Sequence, residues 1–364
     1  MRVLWLVRDN LTREPGGDTT QIVRTAEALR GLGVNVDMSS DRRPRLAGYD
    51  LVHLFQLDRL WENEPRCRRI RSGGPPAVLS TIYWPADQYD RGGRTGVQGL
   101  LARAFGSECY RSLRIAQRWA MDLRRAVPAR DASRPTWSFR RSARFCLETM
   151  SVLLPNSRAE QDAVERTLDV RRPAVVVPNA VGDEFLPPAD DWPGDRQGVL
   201  CVGRIEPRKN QLTLIRALRG TDILLTLVGQ AGRYSAGYHR RCRAEAGPNV
   251  RFVGQAEPSE LRDRYRRSLV HVCPSWYETP GLVNLEAAVS GCAVVATEGG
   301  CTQEYLGEAA YYTGPDDPAS MRQAVEAALV GGPRGQLGQK VAREFTWATA
   351  AARTLDGYRL ALTQ

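Results

Sequence analysis

The sequence predicts an α/β protein built from two doubly wound parallel sheets, and three observations carry that expectation. Short apolar, β-branched runs recur along the chain, stretches of helical periodicity separate them, and the alternation breaks once near the middle. Strands buried on both faces read as continuous apolar runs, and helical crossovers between them make a sheet parallel. At 364 residues the chain is long enough for two domains, each with its own core.

In the first half the strand-like runs are Arg2–Arg8, Val34–Ser39, Asp50–Phe55, Ala77–Tyr83, Val152–Pro155 and Ala174–Pro178. In the second half they are Val199–Arg204, Ile223–Gly229, Val250–Gly254, Val270–Ser275 and Ala293–Thr297. Between them Asn179–Gln197 holds Pro187, Pro188, Pro193, Gly182, Gly194 and five acidic residues with little periodicity, the pattern of a linker. The expected domains are therefore residues 1–180 and 195–345. Doubly wound sheets bind ligands beyond the carboxyl ends of their strands, so two of them facing each other would form an interdomain cleft.

Composition narrows the function. The chain is 42% hydrophobic, 25% charged and 7% aromatic, ordinary for a globular protein. No apolar run reaches the roughly 18 residues of a membrane span. The start, MRVLWLVRDNLTREPGG, lacks the apolar length and cleavage site of a signal peptide. Eight cysteines are scattered without a C-x-x-C pair or metal-type spacing, which fits a reduced cytoplasmic protein without a bound metal. The net charge of +10 points to an anionic partner. Of 51 basic residues only Lys209 and Lys340 are lysines, leaving 49 arginines, so arginine count alone argues little. No nucleic-acid recognition motif accompanies the charge. Between Leu100 and Phe145 eleven arginines face only Glu108, Asp122 and Asp131, interleaved with Leu101, Phe105, Leu113, Ile115, Trp119 and Leu123. This reads either as solvated helix faces or as a peripheral contact for an anionic membrane.

Two segments carry chemistry. In Val202–Asn210 a strand ends at Gly203, where the missing side chain lets a ligand approach the backbone. Arg204 projects from the strand end, Pro207 turns the chain, and Asn210 is placed to cap the following helix. Arg204 and Lys209 can then converge on one anion, the first as a fork and the second as a mobile point charge. In Pro274–Ala288 another strand runs into a helix. Thr279 suits the N-cap and Pro280 the first helical position, leaving the amides of Gly281, Leu282 and Val283 open to a phosphate. Glu278 stands before the helix and Glu286 two turns into it, and a carboxylate can accept hydrogen bonds from two adjacent hydroxyls.

GRIEPRKN and ETPGLVNLE resemble the two signature segments of retaining nucleotide-sugar glycosyltransferases of family 4, the second matching their Glu-x7-Glu pattern. LTLVGQAG, NVRFVGQAEPSELRDRY and SGCAVVATEGGCTQEYLGEAAYYTGPDD extend the likeness over about residues 198–330. REPGGDTTQIVRTAEALRGLG resembles the family's N-terminal glycine loop, and FTWATAAARTLDGYRLAL its last helix, which crosses back onto the first domain (here residues 346–364). The resemblance implies the GT-B fold, two Rossmann-like domains facing across a cleft. It implies that Arg204 and Lys209 bind the donor diphosphate, that Glu278 contacts the transferred sugar, and that Glu286 holds the nucleotide ribose. The amides of Gly281, Leu282 and Val283 would reach sugar or phosphate, the backbone at Gly203, Val253 and Gly254 would meet the donor and its base, and Gly16 and Gly17 would let the N-terminal loop approach the phosphates. Many members place a histidine after the fourth strand, where this chain reads Thr81-Ile82-Tyr83-Trp84-Pro85-Ala86-Asp87, so Tyr83 or Asp87 would substitute. The histidines lie elsewhere, with His53 a candidate to face the cleft and His271 expected to be structural.

The expected reaction is metal-independent transfer of a sugar, with retention, from a nucleoside-diphosphate sugar to a carbohydrate, lipid-linked or small-molecule acceptor. The chain contains no Asp-x-Asp, so fixed cations and amide dipoles would neutralise the leaving diphosphate, with no metal and no other cofactor. An inactive nucleotide-sugar-binding protein and a GT-B epimerase or phosphorylase are the alternatives. Binding without hydrolysis or transfer would mark the first of these.

Overall fold

The computed structural model describes residues 1–124, 138–186, 196–232, 234–279 and 281–364. The chain divides into two compact units, one formed by Met1–Asp90, Val97–Asn179 and Trp347–Gln364, the other by Arg91–Gly96 and Ala180–Thr346.

In the first unit, among the described residues, five parallel strands form one sheet. They are β1 (Arg2–Leu6), β2 (Asn35–Ser39), β3 (Leu51–Phe55), β4 (Ala77–Ser80) and β5 (Val152–Leu153), in the order β2-β1-β3-β4-β5. Helices α1 (Gly17–Gly31), α2 (Leu60–Arg71), α3 (Gly96–Arg124), α4 (Phe139–Thr149) and α5 (Arg158–Leu168) accompany it. On α1 the buried Gln21, Ile22, Thr25, Ala26 and Leu29 recur at three- and four-residue spacing, one face of a helix turned to the core. Ser138 starts α4 by accepting the Arg141 amide, and Ser157 starts α5 by accepting the Glu160 amide. α3 is broken at Gly106, whose φ of 79° only glycine adopts readily.

In the second unit, again among the described residues, six parallel strands form the sheet: β6 (Val199–Val202), β7 (Leu225–Val228), β8 (Val250–Val253), β9 (Val270–Cys273), β10 (Ala293–Thr297) and β11 (Tyr311–Thr313). Their order is β11-β10-β9-β6-β7-β8. The helices here are α6 (Gln211–Ala217), α7 (Ala236–Glu245), α8 (Pro258–Arg267), α9 (Leu282–Val289), α10 (Thr302–Leu306), α11 (Pro318–Gly331) and α12 (Leu337–Glu344). The chain then returns to the first unit as α13 (Trp347–Leu362), which packs on α1.

Each sheet reverses its strand order once, between β1 and β3 in the first unit and between β6 and β9 in the second. The loops leaving the two strands part at such a point and open a crevice, the place where doubly wound sheets hold ligands.

Four segments differ from the sequence expectation. Ala174–Pro178 is not a full strand. It bridges β5 at Ala174, and Val175 donates to the Leu153 carbonyl, but Pro173 and Pro178 carry no amide to extend a ladder. The run Ala77–Tyr83 stops at Ser80 because the chain turns at Ile82, whose φ is 40°. β11, three residues long, gives too short an apolar run to register as a strand. The expected linker is partly folded, since Asp183–Phe185 forms a helical turn with Phe185 edge-on to Tyr265, while residues 187–195 lie outside the described residues. Among the described residues no helix is long and apolar enough to cross a membrane.

Candidate functional site

In the second unit the loops after β6 and β9 meet at the strand-order reversal. After β6, Gly203 takes φ 145°, and a Cβ there would sit 3.7 Å from the Lys209 side chain, which folds over this glycine. Pro207–Lys209 makes one tight helical turn that aims Lys209 back over the strand end. After β9, the backbone of Glu278 is gripped from the loop following β10: Glu278 N–H donates to the Gly299 carbonyl at 3.2 Å, and Cys301 N–H donates to the Glu278 carbonyl at 2.8 Å. A Cβ on Gly299 or Gly300 would collide with the Trp276 or Glu278 backbone, so glycine is required at both.

Lys209 and Glu278 form an ion pair, Nζ to Oε1 at 2.5 Å, with both side chains largely buried. Arg208 is the second cation, its Nη1 3.6 Å from the same oxygen while donating to the Tyr277 carbonyl at 3.0 Å. Burial alone would push Glu278 up. Lys209 and Arg208 outweigh it and bring the carboxyl down to about 2, so Glu278 is charged across the physiological range. The Arg208 guanidinium is in turn held above its ordinary value by Glu278 and Glu206 against the effect of burial. Arg204 is 50% exposed, with only a loose 3.8 Å pair to Glu206, and is the cation of this set most open to a ligand.

Helix α9 begins two residues later than the sequence suggested. Gly281, at φ 68°, is the N-cap in place of Thr279, because only glycine turns the chain that sharply without strain. Pro280 lies outside the described residues. Leu282 and Val283 form the first turn of α9, the positions whose amides have no partner within a helix. Asn210 occupies the N-cap of α6, but its side chain does not cap; its amide donates to the carbonyls of Pro274 and Pro315 and ties the β9 loop to the loop after β11.

Glu286 is partly buried and accepts a hydrogen bond from the Tyr265 hydroxyl at 3.0 Å. Burial pushes its carboxyl up to about 7, the Tyr265 bond opposing that shift and the nearby Glu184 adding to it. At the end of β8 the carbonyls of Val253 and Gly254 both receive the Gly229 amide at 3.1 Å, and the space above Gly254 is open.

The first unit places the remaining candidates. Gly16 is the N-cap of α1 and Gly17 its first residue, at the reversal between β1 and β3. Arg8 holds this loop, donating to Asp18 at 2.6 Å and to the Glu14 carbonyl at 2.7 Å, and Gln56 donates to Asp18 at 2.9 Å. Two expectations are corrected. Tyr83 is 2% exposed with its hydroxyl accepting from Arg111 at 2.9 Å, so it is a packing residue rather than a substrate contact; Asp87 stays half-buried. His53 does not face a cleft. It is buried on β3 between Ser80 (2.9 Å) and the Tyr358 hydroxyl (2.8 Å), and burial drops its pKa to about 3, so it is neutral. His271 is also buried and neutral, edge-on to Tyr265.

Within the basic stretch, Arg111, Arg118 and Arg144 are tied internally, to Tyr83, Asp9 and Asp169. Leu100 and Phe105 are each 62% exposed beside the exposed Arg103, and residues 125–137 of the stretch lie outside the described residues.

Sequence reasoning missed Arg208, Tyr265 and the Gly299–Gly300 pair. Only adjacency to Lys209 could have flagged Arg208. Tyr265 lies 21 residues from its partner, and no local pattern joins them.

Residues 183–340 match the family model described as glycosyl transferases group 1. An α-maltose-1-phosphate synthase of Mycobacterium tuberculosis (strain H37Rv) is 38% identical over 186 residues, covering 45% of this chain and 48% of that protein. The chain thus spans about half the length of this relative. A D-inositol 3-phosphate glycosyltransferase of Streptomyces avermitilis is 26% identical over 394 residues, covering 96% of this chain and 84% of that protein. In fold, the chain is similar to sucrose-phosphate synthase from Thermosynechococcus elongatus, with a TM-score of 0.75 at 18% identity, covering 100% and 99% of the two chains. It is likewise similar to Anabaena HepE, solved with UDP and glucose, with a TM-score of 0.69 at 14% identity and 99% coverage of both. With both Rossmann-like units in place, the chain has the GT-B fold, and its residues 183–340 are similar to the glycosyl transferases group 1 family.

Proposed function

We propose that the protein is a retaining, metal-independent glycosyltransferase that moves a sugar from a nucleoside-diphosphate sugar to an acceptor hydroxyl. The Lys209–Glu278 pair at the strand-order reversal carries this reading. Departure of a nucleoside diphosphate builds negative charge on the phosphate, and cations already fixed in place stabilise it without reorganising. Lys209, held by Glu278, is such a cation. Arg204 adds an exposed fork, and the start of α9 adds the positive end of a helix dipole. Glu278, kept ionised by Lys209 and Arg208, accepts hydrogen bonds from the sugar's hydroxyls, and Glu286 accepts from the ribose diol. In the retaining route the acceptor hydroxyl attacks the face from which the diphosphate leaves, and a donor phosphate oxygen takes its proton. The acceptor C–O bond forms as the sugar–phosphate bond breaks, and no side-chain nucleophile is required.

The relatives' names support a phosphorylated sugar or a phosphorylated cyclitol as the class of molecule at the acceptor side. The test is transfer from UDP-, GDP-, ADP- and dTDP-sugars with and without EDTA, the product anomer being read by NMR. Full activity in EDTA with retained configuration is expected; metal dependence or inversion overturns the mechanism. Arg204→Ala is expected to lower kcat by 10²–10³, about 2.7–4 kcal/mol. The exposed Leu100, Phe105 and Arg103 support a peripheral contact with anionic lipid, checked by co-sedimentation with phosphatidylglycerol against phosphatidylcholine vesicles.

A further inference from the structure

Asn284 is the third residue of α9 and is 1% exposed. Its carboxamide is bare, with neither Oδ1 nor Nδ2 making a hydrogen bond. Its own amide is spent inside the turn, donating to the Gly281 carbonyl at 2.8 Å. The carboxamide is turned to the loop that carries the site: a Cβ on Gly281 would lie 2.9 Å from Asn284 Nδ2 and 3.5 Å from Glu278 Cβ. The neighbours of Asn284 on the helix, Leu282, Leu285, Ala287 and Ala288, are all buried and apolar, so packing asks for an apolar side chain here. A buried amide with two unmet groups opposes folding, and such groups in native proteins call for a partner the folded chain itself does not supply.

The two bare atoms specify that partner. Oδ1 accepts and Nδ2 donates, so one group that both donates and accepts satisfies the pair. A hydroxyl does this, whereas a phosphate oxygen only accepts and would leave Oδ1 bare. Glu278, ionised beside Lys209, only accepts, and can receive a hydrogen bond from a second hydroxyl. We propose that Asn284 is a specificity residue for the transferred sugar, hydrogen-bonding one hydroxyl next to the hydroxyl held by Glu278. The sugar class is then a hexose that keeps both adjacent hydroxyls, and a donor deoxygenated at either position is discriminated against. The proposal rests on the glycosyltransferase reading and deepens it.

The test is calorimetry on the full chain and on Asn284→Ala and Asn284→Leu. UDP, GDP, ADP and dTDP are compared with UDP-glucose, GDP-mannose, ADP-glucose and dTDP-glucose, and thermal melts are run on the same samples. Both variants are expected to bind the recognised sugar conjugate at least tenfold more weakly, while the matching free diphosphate stays within twofold. Asn284→Leu is expected to melt no lower than the wild type, because removing an unmet buried amide does not weaken a folded core. Equal losses on diphosphate and conjugate, or no loss on either, overturn the proposal while leaving the glycosyltransferase reading intact. A lower melting temperature with unchanged conjugate binding shows a purely structural amide and also overturns it. Failure of the wild type to bind any of the eight ligands overturns the underlying reading and this proposal with it.

Discussion

Glu160 and Glu278 are both buried carboxylates serving loops at the carboxyl end of a parallel sheet, and their surroundings treat them in opposite ways. Glu160, on α5, faces neutral donors. It accepts from the Thr81 hydroxyl, the Tyr83 amide at 2.9 Å and the Asn156 amide at 3.1 Å, and burial nevertheless pushes it up to about 7. Glu278 faces Lys209 and Arg208, and they bring it down to about 2 despite burial. The first arrangement pins a loop, holding the left-handed turn at Ile82. The second places a buried positive charge where a second anion can share it. Local carboxylate chemistry is thus the same in the two units, and the neighbouring cations decide which carboxylate stays charged.

The largest test of this contrast is Lys209→Ala, which leaves the buried Glu278 charge with only the longer Arg208 contact. It should lower kcat by 10²–10³ and cost about 3 kcal/mol of stability in denaturant melts. Adding Glu278→Gln should return most of the stability and none of the activity. Recovery of activity would place the pair outside the chemistry.

Next in size is the pH response of each glutamate, taken as melting temperature of wild type minus that of the glutamine variant. For Glu278 the folded value is depressed, so its contribution is present above the unfolded value of about 4.5 and fades as pH falls towards 2. For Glu160 the folded value is raised, so ionisation disfavours the folded state, and wild type should lose ground to Glu160→Gln as pH rises from about 4.5 to 7. Two curves sloping the same way would break the comparison.

The smallest expected effect concerns Glu286, raised to about 7 by burial without a bonded cation. If its ionised form holds the ribose diol, nucleoside-diphosphate affinity should rise severalfold between pH 6 and 8, and Glu286→Gln should flatten that rise. An unchanged profile in the variant would move the ribose elsewhere.

Much of the site was legible because strand ends and signature spacing are local. Gly203, Arg204, Lys209, Glu278 and Glu286 all sit on one strand–loop–helix pattern or another, and the second unit's sheet carries every one of them on its carboxyl side. The misreadings fell where a side chain's fate depends on residues far away in sequence. Tyr83 looked available until Arg111 closed on it, and His53 looked ligand-facing until Tyr358, 305 residues on, met it in the core. Gly281 took the cap from Thr279 because only the folded loop shows that the turn needs a positive φ.

Periodicity, glycine placement and the two signature segments by themselves determined the α/β class and the two Rossmann-like units and nominated the candidate donor-site residues, since each is written in short-range patterning of burial and charge. Only the tertiary structure decided that Lys209 is paired with Glu278, that Arg208 is its second partner and that Asn284 is left bare. Those outcomes depend on which strand ends the sheet order makes neighbours, and strand order is a long-range property of packing that no local run of residues encodes.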